Sequence, residues 1–301
     1  MRLLRMHDMK SDKTVCVFTP TYNRAYILGT LYQSLCAQTS FDFMWFVVDD
    51  GSTDNTEELV GEFEKAAPFD VRYLKVSNGG KQRAHDLAVS LCENELFFCV
   101  DSDDHLTPDA IQTVVSAWGE VRERDDIAGI LALHGTSERD PIGSWMPSDV
   151  TFSTQHALYE RYGFKGDISL IYRTDVLREF PFDVEPGEKF IPETYSYFQI
   201  DRCYSCLLVN KIIKIGDYLP DGYSSAFPKN VLSNPRSYLK HKRLCMEMST
   251  GLYNRFYDTA MFMVAHYVAK GSYGLGECTS VAMGALALIP AVILAHTKFK
   301  A

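Results

Sequence analysis

Basic residues are scarce in this chain: 30 Lys and Arg stand against 39 Asp and Glu in 301 residues, a formal net charge of −9. No basic cluster of the kind that neutralises several phosphates stands out, so a nucleic-acid polymer is not the expected partner. A second cysteine pair at zinc spacing is also missing. The eight cysteines are scattered, most inside apolar runs where they act as small hydrophobes, and the expected compartment is reducing. The one C-x-x-C, Cys203 to Cys206, has no second pair and no thioredoxin-like setting, so it reads as structural. There is no P-loop, and the G-x-G in GSYGLGECTS follows a helical segment rather than a strand, which argues against dinucleotide binding. The opening run MRLLRMHDMKSDK lacks the apolar core of a signal peptide, and a cytoplasmic protein is expected. One long apolar run exists, residues 281–295, broken only by Pro290. As a helix it would span about 22 Å, short of the roughly 30 Å of a bilayer core, so a full crossing is not expected.

The composition, 46% hydrophobic and 23% charged, suits a large globular domain with an appended piece. Residues 14–19, 44–48, 71–76 and 96–100 are short β-rich apolar runs. Between them lie segments of helical spacing, with Leu28, Leu31 and Leu35 on one face of the first and Leu59, Val60 and Phe63 on one face of the second. This alternation predicts a doubly wound parallel sheet, whose ligand lies beyond the carboxyl ends of its strands. A helix is expected from Pro108 to Glu123 with Ile111, Val114, Val115 and Trp118 inward. Strands are expected at 127–133 and 167–172, a helix from Glu193 or Thr194, and helices from Ser237 onward. The predicted boundary lies near residue 225, between an α/β body (1–225) and a C-terminal helical region (226–301).

Each of the first four strands ends in polar residues: TPTYNR, DDGSTDNT, SNGGKQR and DSDDH. In the last, Asp101, Asp103 and Asp104 crowd into four positions, and two carboxylates about 4 Å apart repel by roughly 4 kcal/mol near a surface. A divalent cation would relieve that repulsion. Hard oxygen donors suit Mg²⁺ or Mn²⁺, acting as a Lewis acid on a leaving phosphate. The alternative is an acidic cap on the following helix, for which Asp104 or Thr107 would suffice. Either Asp49 or Asp50 could accept from a base or ribose, and Tyr22 offers a face for base stacking. Gly79 and Gly80 would let a diphosphate approach the backbone, with Lys81 or Arg83 supplying charge. Glu193, just after Pro192, is placed at a helix start, where it is either a general base or a dipole-stabilised terminus.

Taken together, the segment from VCVFTPTYNR through VVDDGSTDNTEELV, followed by NGGK and VDSDDHLTPDAI, resembles the inverting nucleotide-sugar glycosyltransferases of the GT-A fold that build bacterial surface polysaccharides. The resemblance is strong over residues 13–125 and looser to 225. It implies a Rossmann-like, mostly parallel sheet flanked by helices, with a nucleotide-binding half (13–125) and an acceptor half (126–225). It implies that Thr19, Pro20, Tyr22, Arg24, Asp50, Gly80, Lys81, Asp101 and Ser102 line the nucleotide pocket, Asp50 facing a base that is most often uracil. Asp101 and Asp103 occupy the D-x-D position, and Asp104 is a further candidate for the metal. The family's catalytic acid lies in an E-D pair before a helix. The matching place here is Pro192-Glu193, with proline for the first acid and glutamate for aspartate. Asp167 and Asp221 fall in family-like segments of the acceptor side.

The expected function is therefore metal-dependent inverting transfer from a nucleotide-sugar, most often UDP-linked, to a hydroxyl of a glycan or lipid-linked oligosaccharide. Two competing readings are an idle scaffold in a glycan-assembly complex and an aspartyl phosphatase. The phosphatase motif would need Thr or Val where His105 stands, and would lie on the first strand rather than the fourth. Residues 278–297 are expected to make peripheral contact with the cytoplasmic face of a membrane, with Lys298 and Lys300 near anionic headgroups. The alternative for this segment is a helix packed on protein.

Overall fold

The computed structural model describes residues 11–216 and 227–298. Asp221 and Lys300 lie outside the described residues. In chain order the elements are β1 (Val15–Thr21), α1 (Ala25–Cys36), β2 (Phe43–Asp49), α2 (Thr56–Ala66), β3 (Asp70–Lys75), α3 (Lys81–Leu91), β4 (Leu96–Cys99), β5 (His105–Leu106), α4 (Ala110–Gly119) and β6 (Ile127–Gly135). There follow β7 (Phe152–Ser153), α5 (Gln155–Glu160), β8 (Ile168–Arg173), α6 (Thr174–Glu179), α7 (Thr194–Ile200), β9 (Ser205–Ile215), α8 (Phe227–Ser233), α9 (Pro235–Met248), α10 (Leu252–Lys270) and α11 (Val281–Lys298).

The sheet runs β3-β2-β1-β4-β8-β6-β9-β5, with β7 also on β9. Its first four strands are parallel, as the alternation of strand and helix requires. β8 then enters antiparallel to β4 and β6, and β9 is parallel to β6 but antiparallel to β5 and β7. Half of the strand pairings among the described residues are therefore antiparallel, and the sheet is mixed rather than mostly parallel.

β1 and β2 are buried throughout, consistent with apolar side chains on both faces of a central strand. One face is covered by Leu28, Leu31 and Leu35 of α1, Val60 of α2 and Ile111, Val114 and Trp118 of α4, packed with Val15, Val17, Trp45 and Val47. On the other, His85 of α3 meets the rings of Phe18 and Phe97 edge-on. Pro20 sits in a central strand without breaking it. The last register pair between β1 and β4 is Phe18 with Cys99, so the missing N–H of Pro20 falls where β4 has already ended.

The described residues form two compact units, one of residues 11–181 and 200–216, the other of Phe182–Gln199 and residues 227–298. The whole sheet belongs to the first. In the second, Ala260–Ala265 of α10 pack with Ala287, Ala291 and Ala295 of α11, together with Tyr238 and Leu239 of α9.

Candidate functional site

The parallel strands deliver their loops to one edge of the sheet, and hydrogen bonds lace those loops together. Asn23, with φ +53, donates its amide to Ser52 Oγ at 2.8 Å and accepts from the Thr53 amide at 2.7 Å. The Ala25 amide, at the start of α1, donates to Asp54 Oδ2 at 3.1 Å. The turns after β1 and β2 are thereby joined. Tyr22 is 49% exposed beside them, while Thr19 is buried with its hydroxyl accepting from Trp45 Nε1 at 2.9 Å. Of the predicted nucleotide residues, Thr19 thus places its side chain in the core and Tyr22 places its ring at the surface.

The two aspartates after β2 have separate tasks. Asp49 is fully buried and accepts from the Ser52 amide at 2.7 Å and the Tyr73 hydroxyl at 2.6 Å. Burial and the Asp49 carboxylate push the Tyr73 hydroxyl far above the ordinary phenol range. Asp50 accepts from the Gly79 amide at 2.6 Å, the Gly80 amide at 2.9 Å and Asn78 Nδ2 at 3.1 Å. It clamps the Asn78-Gly79-Gly80 loop onto the end of β2. Gly80 has φ +96, a conformation any side chain would strain. Lys81 follows it at once.

The fourth loop is a tight turn, closed by the Asp104 amide donating to the Asp101 carbonyl at 3.1 Å, with Ser102 buried inside it. Its three aspartates diverge. Asp101 pairs with Lys81 Nζ at 2.7 Å. Asp103 is half-buried, and burial together with the charges of Asp101 and Asp104 raises its carboxyl, opposed by the guanidinium of Arg24. Asp104 is buried between Lys214 Nζ at 2.9 Å and His134 Nε2 at 3.5 Å. Burial works to raise its carboxyl, but the Lys214 ammonium and His134 outweigh it and hold it far below the usual range. Lys214 is raised in turn: burial would lower it, and the charges of Asp104 and Asp101 prevail.

Lys214 and His134 have no counterpart in the sequence reading. β9 carries the lysine and β6 the histidine, each far along the chain from the turn. Gly216 belongs with them, because a Cβ there would stand 1.9 Å from Asp104 Oδ1. In the sequence, His134 directly follows the strand expected at 127–133, and Lys214 lies in the β-rich run SCLLVNKIIKI, for which no strand was expected. With Asp104 held by Lys214, no group of three or more His, Cys, Asp or Glu side chains is arranged for a metal ion among the described residues.

Asp167 contributes backbone at this edge: its carbonyl accepts the His134 amide at 3.4 Å and its amide donates to the Ile142 carbonyl at 3.2 Å. Glu193 belongs to the second unit, one residue before α7, the helix start expected for it. In that unit the Thr194 hydroxyl lies 2.8 Å from Nε2 of His241, which burial and Lys242 hold well below the ordinary histidine range.

Comparison with known proteins adds a second line. The family model described as Glycosyl transferase family 2 matches residues 16–180. An uncharacterized glycosyltransferase of Nostoc sp. is 27% identical over 181 residues, covering 56% of this chain and 54% of that protein. Poly(ribitol-phosphate) beta-N-acetylglucosaminyltransferase TarS of Staphylococcus aureus is 24% identical over 192 residues, 62% of this chain and 33% of TarS. The matched regions thus span about half or less of these relatives' own lengths. The crystal structure of TarS 1-349 in complex with UDP-GlcNAc superposes with a TM-score of 0.58 at 19% identity, covering 94% of this chain and 81% of that one. The mannosyltransferase PcManGT of Pyrobaculum calidifontis, in complex with GDP-Man and Mn²⁺, gives 0.57 at 15% identity, covering 97% and 83%. At these identities the superpositions establish a shared fold.

Proposed function

Because the chain belongs to glycosyl transferase family 2 and has its GT-A fold, we propose that it transfers a sugar from a nucleotide-sugar to a hydroxyl of a glycan or lipid-linked oligosaccharide in surface-polysaccharide synthesis. The observation that carries this reading is the Asp101–Asp104 turn at the sheet edge, packed against the loop that Asp50 clamps and the lysine it presents. UDP is the favoured nucleotide, supported by the UDP-GlcNAc bound to TarS.

Two carboxylates of the turn, rather than a closed protein set of three, would hold a divalent cation that takes its remaining oxygens from the diphosphate and water. Asp103 and Asp101 are hard oxygen donors, and a cation would offset both the burial and the neighbouring charges of Asp101 and Asp104 that raise the Asp103 carboxyl. Mn²⁺ or Mg²⁺ held there would neutralise charge on the leaving diphosphate. The chain's own residues do the rest. Lys81, presented by the Gly79–Gly80 turn that Asp50 clamps, and Arg24 hold the diphosphate, and Tyr22 stacks on the base. Glu193, ionised, takes the proton of the acceptor hydroxyl. The acceptor oxygen bonds to the anomeric carbon as the bond to the diphosphate oxygen breaks on the opposite face, inverting the centre. The nucleoside diphosphate leaves with the electron pair.

Peripheral contact with the cytoplasmic face of a membrane is part of the same proposal. No helix among the described residues is long and apolar enough to cross a bilayer. α11 nevertheless exposes Leu286, Ile289 and Ile293 on the side away from its buried alanines, a face suited to lying in a headgroup layer near a lipid-linked acceptor.

The test is a panel of nucleotide-sugars with Mn²⁺, scored for nucleotide release with and without glycan acceptors. Turnover of one donor that falls at least about a hundredfold in Asp103→Ala and in Glu193→Gln is expected. Full activity in either variant removes the role assigned to that residue, and no turnover of any donor removes the proposal.

A further inference from the structure

The three aspartates of the turn share two lysines, and the two pairs differ in kind. Lys214 and Asp104 keep only 11% and 10% of their side-chain surface exposed. Separating them would strand two charges away from water, so that pair is permanent. Lys81 is 15% exposed and Asp101 37%, at the open edge where a donor would arrive. Lys81 is nearly as enclosed as Lys214, but water reaches the Asp101 carboxylate, so this pair is exchanged more readily than the one buried on both sides. The backbone that presents Lys81 is immobilised, since Asp50 holds the amides of Gly79 and Gly80. Redirecting the ammonium is then a matter of rotations along the four-carbon stem.

Resting on the glycosyl-transfer reading, we infer that Lys81 is a resident counter-ion: it holds Asp101 while no donor is bound, and turns to the donor's diphosphate when donor and divalent cation arrive, releasing Asp101 to the cation. Charge supports the exchange. With both lysines in place the turn keeps one net negative charge, a poor match for a divalent ion. With Lys81 withdrawn it keeps two. The diphosphate is the chemical group that can draw Lys81 away, so cation and nucleotide bind cooperatively and the empty protein is a weak cation binder.

Mn²⁺ binding to the full chain, followed by electron paramagnetic resonance with and without UDP, tests this. In the wild-type protein UDP should tighten Mn²⁺ by about tenfold or more. Lys81→Met should bind Mn²⁺ without UDP about threefold more tightly than wild type, and most of the UDP enhancement should vanish. Lys81→Arg keeps the counter-ion and should keep the enhancement. Lys75→Met removes a lysine paired with Glu57 and Asp49 at the end of β3 and controls for simple loss of positive charge. The inference is overturned if Lys81→Met binds Mn²⁺ no more tightly than wild type or Lys75→Met, or if its UDP enhancement is intact. Independent binding of Mn²⁺ and UDP to a wild-type protein that still turns over a donor would sink the counter-ion role alone. A wild-type protein that binds neither would sink both readings.

Discussion

Asp103 and Asp104 are adjacent in the chain and opposite in setting. Asp103 stands beside like charges at the sheet edge, whereas Asp104 is buried on Lys214. Crowded aspartates after an apolar strand are legible in sequence because every relevant neighbour lies within four residues. Their division of labour is not, since Lys214 lies more than a hundred residues further on. The contrast predicts different phenotypes. Lys214→Met strands a buried carboxylate and should cost about 3–5 kcal/mol in urea unfolding. Asp103→Ala relieves repulsion and should leave the melting temperature equal to wild type or higher while abolishing turnover. A melting temperature for Lys214→Met equal to wild type would mean that the Asp104 pair is not structural.

At the scale of elements, the apolar runs place the first four strands to within one or two residues, and α1 and α4 bury the faces their spacing predicts. Period and turn chemistry are local, and here they sufficed. β9 escaped because Asn210 and Lys211 interrupt its middle, where its pairing with β6 shifts register and Asn210 exchanges hydrogen bonds with the Met146 backbone. For the segment that forms α11, the apolar run by itself leaves membrane contact and packing on protein both open. In the structure small residues line its packed side, letting it approach α10, and large ones line the exposed side. Ala291→Leu should therefore overpack that contact and cost about 1–3 kcal/mol. Leu286→Asp with Ile289→Asp should leave stability nearly unchanged while abolishing flotation with anionic vesicles. Undiminished flotation would exclude membrane contact through α11.

At the scale of the molecule, the helical unit draws in Phe182–Gln199 from well before the expected boundary at 225. Hydrogen bonds explain the recruitment. Glu188 accepts the amides of Ser237 at 2.7 Å and Arg236 at 3.0 Å at the start of α9, and Asn234 Oδ1 accepts those of Lys189 and Phe190. Burial would raise the Glu188 carboxyl, but these donors outweigh it and keep it below the ordinary glutamate range. A lowered folded value means that this stabilisation is full above the unfolded pKa of about 4.3 and is lost as pH falls below it. Glu188→Gln should thus melt earlier than wild type at pH 7, and the two should converge in acid. A constant difference from pH 7 to pH 3 would show that the ionised carboxylate is not what ties the segment to α9.

What the sequence determined by itself was the parallel half of the sheet, the loops at its edge, the family they resemble and the aspartate turn, because strand period, turn residues and short spacings act between near neighbours. Only the tertiary structure decided that the sheet is mixed, that Asp50 clamps the glycine loop, that Lys214 takes Asp104 while Lys81 takes Asp101, and that residue 193 belongs with the helices. Each of those depends on groups brought together across tens to more than a hundred residues, where charge pairing and strand register are set by packing and leave no local pattern to read.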